Sequence, residues 1–323
     1  MNNTNYAFAV AHIRANENSL LTSADIEQLV NATDFENALS ILSDKGYGTL
    51  DETDDYNSTL NENQIKTWEL INSIIPQKNT LDFLIVKNDY HNIKAVLKST
   101  ISARSDNGCY IEPCIIDVEE MKQAVKTGDY SELPEYIQAD LKEAYELASR
   151  TNDGQLTDVT LDRLAFMRMK KLASETKEDF IINLVELIIA VANIKIALRG
   201  ARTNRDSVFY DTALCECNTL DIDALKASAL KSESDLCEYL ERTDYSDVIE
   251  AIKTSNSAFE KWCDDKIMSF MDEAKTQVFG VGPIIAYYYA KETEIRNIRI
   301  ILSCIYNELP KEKIIERMRT LYV

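Results

Sequence analysis

Three asparagines carry the most regular polar pattern in this chain of 323 residues. Asn92, Asn193 and Asn297 head the phrases NIKAVLK, NIKIALR and NIRIILS, 101 and 104 residues apart. An acid stands three positions earlier in the first and third phrases, Asp89 and Glu294, whereas the middle phrase has Ala190 there. Residues three apart share a helix face, so one reading is a polar site built three times. The other is architectural: an Asn that hydrogen-bonds across a helix interface, as buried polar groups must. Loss of the acid from one copy fits architecture better than chemistry. Other reactive groups are sparse. His12 and His91 are the sole histidines, which leaves little for general-base chemistry beyond a Glu pair. Seven cysteines include no CxxC, and Cys215 and Cys217 form only a CxC without His partners. Zinc is therefore not expected, and free, buried or semi-buried thiols in a reducing cytosol are. GYG and GVG lack the third Gly and preceding strand of a dinucleotide site, and no GxxxxGK[ST], GxSxG or HExxH occurs. The expectation is no catalytic, cofactor or metal site, and no enzyme.

The elements that hold these residues read as helices. Only eight Gly and five Pro occur, mostly at the edges of apolar periodic runs, and no series of alternating strands is visible. The expected class is all-α. Val86, Tyr90, Ile93 and Leu97 make one helical stripe around Asn92. A second phrase recurs in order, DKGYGTL, TGDYSEL and RTDYSDV, around Tyr47, Tyr130 and Tyr245. A period near 100 residues predicts three similar helical-bundle domains from an internal triplication, 1–108, 109–203 and 204–323. Their junctions fall at SARSDNGCYIEPC and ARTNRDS. The apolar run 180–198 has transmembrane length, but Glu186, Lys195, Asn183 and Asn193 make lipid costly. It reads as an enclosed bundle helix with a thin seam of Asn183, Glu186, Ala190, Asn193 and Ala197. Thr22 or Ser23, Asp34, Asp221, Ser232 and Asp244 are expected caps. Helix is expected over 244–275, broken near Asn256, and again over 312–323 with Ile314, Ile315, Met318 and Leu321 along one side. Pro134 and Pro283 suit first helical turns. No basic-then-apolar signal peptide opens the chain.

The net charge of −19 argues against nucleic acid and against direct adhesion to anionic lipid. The windows around the three phrases are nevertheless locally basic. Cations end or follow the signature helices: Lys98 and Arg104, then Arg199, Arg202 and Arg205, then Arg317 and Arg319. Such cations complement the helix macrodipole. As an interface, Arg199, Arg202, Arg205, Lys98 and Arg104 would grip an acidic partner surface.

The tail AKETEIRNIRIILSCIYNELPKEKIIERMRTLYV looks like the C-terminal signature of the C subunits of V-type and archaeal-type ATPases, the family that includes the eukaryotic d subunit. LDFLIVKNDYHNIKAVLK, VANIKIALRGAR and YAFAVAHIRANENSLL resemble that family at matching places, so the likeness runs from about Tyr6 to Val323. Ser303, Cys304 and Asn307 stand where family members often carry Gly, and Ala190 replaces the central acid. The resemblance implies three helical domains about a pseudo-threefold axis, forming a funnel between the membrane rotor ring and the central axle of D and F subunits. It implies a non-catalytic spacer that transmits torque, carries no cofactor and does not itself span the membrane. Its place would be peripheral, on the cytoplasmic side. The alternative is a soluble helical-repeat scaffold that binds proteins on a concave surface, although such solenoids have shorter periods.

Overall fold

A computed structural model describes residues 6–48, 56–102, 110–151 and 154–323. These residues are helical with no strand among them, so the chain is all-α. It divides into two compact units: unit 1 is Met1–Lys78 with Asp247–Val323, and unit 2 is Asn79–Ser246.

Unit 1 opens with α1 (Ala7–Glu17), α2 (Ser23–Val30), α3 (Phe35–Leu42) and α4 (Tyr56–Ile74). Thr22 caps α2, its hydroxyl accepting from Asp25 N at 3.3 Å while the Asp25 carboxylate accepts from Thr22 N at 2.9 Å. That reciprocal pair satisfies two of the free donors at the helix start. Lys45 also engages Asp25, and its ammonium is the main reason the carboxyl is pulled down to about 2. Asp34 caps α3 through Asn37 N at 2.8 Å. After α3 the chain turns widely over Ser43–Tyr47, where Gly46 has φ 91°, a left-handed conformation that glycine adopts without strain. The turn delivers Tyr47 to the interior.

Unit 2 contains α5 (Asp82–Ser102), α6 (Val118–Thr127), α7 (Glu135–Thr151), α8 (Gly154–Thr176), α9 (Asp179–Arg202), α10 (Ser207–Ala213), α11 (Ile222–Lys231) and α12 (Glu233–Leu240). α8 lies along α5 and also packs on α7, α9 and α10. The apolar run forms α9, which meets α8, α10, α11 and α12. Among the described residues it is the one helix with the length and composition to cross a membrane, with mean hydropathy 2.1 in its most apolar window. Here it is a core helix of unit 2, with Ile181, Leu184, Ile189, Ile194 and Leu198 buried. Glu186, Ala190, Asn193 and Ala197 of the expected seam are buried too, whereas Asn183 faces solvent. At the end of α9, Gly200 lets the Tyr210 ring press against bare backbone; a Cβ there would meet Tyr210 Oη at 2.5 Å.

The chain returns to unit 1 with α13 (Val248–Thr254), α14 (Asn256–Phe270), α15 (Asp272–Lys275), α16 (Gly282–Tyr306) and α17 (Lys311–Arg317). Asp221 and Ser232 cap α11 and α12 as expected. Asp244 does not cap a helix, because turns after Leu240 delay α13 to Val248. The cap at the expected break is Ser255, which accepts from Ala258 N at 3.0 Å. Pro283 sits in the first turn of α16. That helix supplies Ile295, Ile298, Ile301 and Leu302 to a core shared with Leu29, Leu39 and Leu42. The last helix stops at Arg317 instead of continuing to the end, and Ile315 is exposed. Polar anchors draw the tail out: Lys261 donates to Met318 O, and Asp265 accepts from Thr320 N at 2.8 Å.

Candidate functional site

Each signature asparagine makes the same two hydrogen bonds. Asn92 Nδ2 donates to Ile111 O at 3.0 Å, and its Oδ1 accepts from Ile111 N at 2.8 Å. Asn193 does this to Cys215, at 2.7 and 3.0 Å. Asn297 does it to Arg319, at 3.0 and 2.8 Å. A primary amide offers both a donor and an acceptor, so one side chain satisfies both the N–H and the C=O of a single residue outside the helices. The clamped residue lies 19, 22 and 22 positions downstream. All three asparagines are buried. The architectural reading of the phrase is the one observed.

The carboxylates diverge. Asp89 Oδ1 accepts from Ile115 N at 2.8 Å and Ile116 N at 3.1 Å. In the middle phrase Glu186, two turns before Asn193, supplies what Ala190 does not: it accepts from Asn218 N at 2.8 Å and pairs with Lys170 at 2.9 Å. Glu294 instead binds Leu21 N, the Tyr47 hydroxyl and Lys291. Its negative charge and the burial of the ring push the Tyr47 phenol far up, burial being the larger cause. The three tyrosines of the second phrase have different settings. Tyr47 binds Glu294, Tyr245 shares a 2.8 Å hydrogen bond with Thr219, and Tyr130 is half-buried.

Four of the five expected interface cations gather on unit 2. Lys98 of α5 binds Asp158 at 2.7 Å and Arg205 binds Gln155 at 2.9 Å, three positions apart at the start of α8. The Arg205 guanidinium also sits 5.4 Å from the Phe209 ring centroid. Arg202 forms a bidentate pair with Glu233, at 2.9 and 2.7 Å. That contact holds the Glu233 carboxyl below its ordinary range. Arg199, one turn earlier, is exposed, and its guanidinium has no partner among the described residues. Arg104 lies outside the described residues. Arg317 is exposed, while Arg319 is tied to Asp264 at 2.7 Å.

The geometry thus consists of backbone clamps and a cationic helix end. The family model of the ATP synthase (C/AC39) subunit matches residues 9–317. The chain belongs to the ATP synthase (C/AC39) subunit family. It is 24% identical over 317 residues to the V-type sodium ATPase C subunit of Enterococcus hirae, covering 96% of this chain and 97% of that protein. It is 25% identical over 342 residues to the A-type ATP synthase C subunit of Methanocaldococcus jannaschii, covering 96% and 85%. The Thermococcus kodakarensis A-type ATP synthase C subunit is 24% identical over 333 residues, with 97% and 90% covered. Membership in the C/AC39 family makes this chain a structural, non-catalytic component of a rotary V/A-type ATPase complex.

For a C/AC39 protein the relevant chemistry is holding rather than turnover. Among the described residues no three His, Cys, Asp or Glu side chains are grouped to bind a metal ion. The six described cysteines are free thiols, with Cys215, Cys217, Cys263 and Cys304 buried. Burial is the main cause that pushes the Cys215 thiol up to about 11, which suppresses thiolate reactivity. Reading from sequence missed the partners of the clamps and the exchange of Glu186 for Ala190. The seven-residue spacing of Glu186 and Asn193 was the available signal, since two helical turns return to one face.

Proposed function

We propose that this chain is a non-catalytic spacer of the central rotor. It would couple the axle, made of the D and F subunits, to the membrane rotor ring of proteolipid subunits and transmit torque for ion transport. It would lie on the cytoplasmic side, peripheral to the membrane. The observation that supports this reading is similarity that runs end to end along both this chain and the Enterococcus hirae protein. The test is affinity purification of the tagged chain from native membranes solubilised in detergent. Axle and ring proteins should co-elute in fixed ratio; recovery of the chain alone, in the aqueous fraction, would sink the proposal.

The same proposal includes the triplication 1–108, 109–203 and 204–323, supported by three clamps of one geometry. It also gives the cationic end a role: gripping an acidic surface of the ring or axle. Arg199 is the residue to test, because it is exposed and reversing it breaks no side-chain hydrogen bond or ion pair among the described residues. Arg199→Glu should weaken assembly and lessen its salt sensitivity. Equal assembly of wild type and variant at low and high salt would leave only the macrodipole role.

A further inference from the structure

The segment 110–117 is strapped to α5 by three neighbouring side chains. Asn88 donates to Pro113 O at 2.8 Å, Asp89 receives Ile115 and Ile116, and Asn92 clamps Ile111. Only Asp89 is left incomplete: its residue exposure is 0%, and its buried Oδ2 has no hydrogen-bond partner among the described residues. Two further orphans belong to the helices packed on α5. Tyr136 Oη on α7 and Arg168 Nε on α8 are likewise buried and unpartnered among the described residues, with the Arg168 guanidinium 3.8 Å from the Tyr136 ring centroid.

No cation among the described residues pairs with Asp89. Asp82, two turns earlier on α5, adds negative charge, and Arg168 acts on Asp82 and Tyr136. On α7, Asp140 is occupied by the Tyr90 hydroxyl at 2.5 Å. The strap brings Cys114, Glu112 and Asp117. On α6, Glu119, Glu120 and Lys126 are exposed, and Lys122 pairs with Glu119 at 2.7 Å. An ionised carboxylate needs partners for both oxygens when buried. A carboxylic acid needs fewer.

We propose that Asp89 is a proton-binding site: protonated, it holds the strap 110–117 on α5, and its ionisation favours opening of that strap. Burial is the leading cause that raises this carboxyl to about 7, against the lowering by its two backbone donors. With the folded value above the unfolded one, the closed state binds the extra proton. Stability from Asp89 is complete below the unfolded value of 3.8, falls as pH rises, and is gone above about 7. Within that window each pH unit costs up to about tenfold in the closing equilibrium. The site is independent of the rotor assignment.

Hydrogen exchange of the 110–117 backbone, corrected for intrinsic rates, tests it on the full chain. Wild-type protection should decline steadily from pH 5 to 7. Asp89→Asn keeps an acceptor for Ile115 and Ile116 and places a donor where Oδ2 stood, so its protection should not vary with pH. Parallel pH dependence in the two proteins would mean an ionised Asp89 solvated in place, and would overturn the proposal. A second readout covers a variant that does not fold. Wild-type protein should show a protonated carboxyl infrared band at pH 6 that fades by pH 8 and survives in Asp82→Asn. Absence of that band from Asp82→Asn at pH 6 also overturns it.

Discussion

α5 and α9 solve one problem in two ways. Each carries a buried Asn that clamps the N–H and C=O of one downstream residue and a buried acid that accepts from backbone N–H nearby, twice at Asp89 and once at Glu186. On α9 the longer Glu186 reaches from a turn further back, binds Asn218 through both oxygens and meets Lys170. On α5 the shorter Asp89 uses one oxygen and leaves the other unpartnered among the described residues. The difference teaches that a backbone-holding role fixes the position of an acceptor, not the charge it carries. Where a cation is at hand, as Lys170 is for Glu186, the carboxylate pairs with it; at Asp89, on the proposal above, a proton takes that place.

The sharpest break of the comparison removes the clamps themselves. Asn193→Ala strands both backbone groups of buried Cys215 and should cost about 3 kcal/mol in urea unfolding. Asn92→Ala should cost less, about 1–2 kcal/mol, because Ile111 is 37% exposed and water can replace the amide. Equal losses would show that burial of the clamped residue does not set the cost. Next comes Gly200→Ala, where the added methyl collides with Tyr210. A lowered thermal midpoint, equivalent to about 1–3 kcal/mol, is expected.

Neutralising the acids should then separate the two helices in sign. At pH 8 Glu186→Gln loses the Lys170 pair and should destabilise by about 1 kcal/mol, since Lys170 is partly exposed. Asp89→Asn at the same pH should be neutral or stabilising, as it relieves a buried charge. Two destabilised proteins would erase the distinction between Glu186 and Asp89. The smallest effect is expected from Arg199→Glu, within about 0.5 kcal/mol of wild type in thermal unfolding.

Much of this was legible beforehand. Scarce Gly and Pro and helical periodicity gave the all-α class, and the Asn spacing gave three sites of one kind. What the Asn residues hold was hidden, because Ile111, Cys215 and Arg319 offer only their backbones and no side-chain pattern marks them. The last helix was overextended for a related reason. Ile314, Ile315, Met318 and Leu321 keep helical spacing, yet Lys261, Asp264, Asp265 and Asn297 together pull residues 318–320 out of it. Local propensity lost to tertiary hydrogen bonds. Asp244 failed as a cap because nothing in its own sequence records that the turns after Leu240 run on to Val248.

Unit 2 is one uninterrupted stretch of chain, whereas unit 1 is assembled from the two stretches that flank it. Glu294 meets Leu21 and Tyr47 across 273 and 247 residues. On a ribosome adding about 5–20 residues per second, the first helices wait roughly 15–55 s for α16 to emerge. Unit 2 can close during that interval. Leu29, Leu39 and Leu42 cannot be covered by Ile298 and Leu302 until α16 has been made. The order of translation therefore leaves the apolar faces of α2 and α3 open to chaperones throughout the synthesis of unit 2.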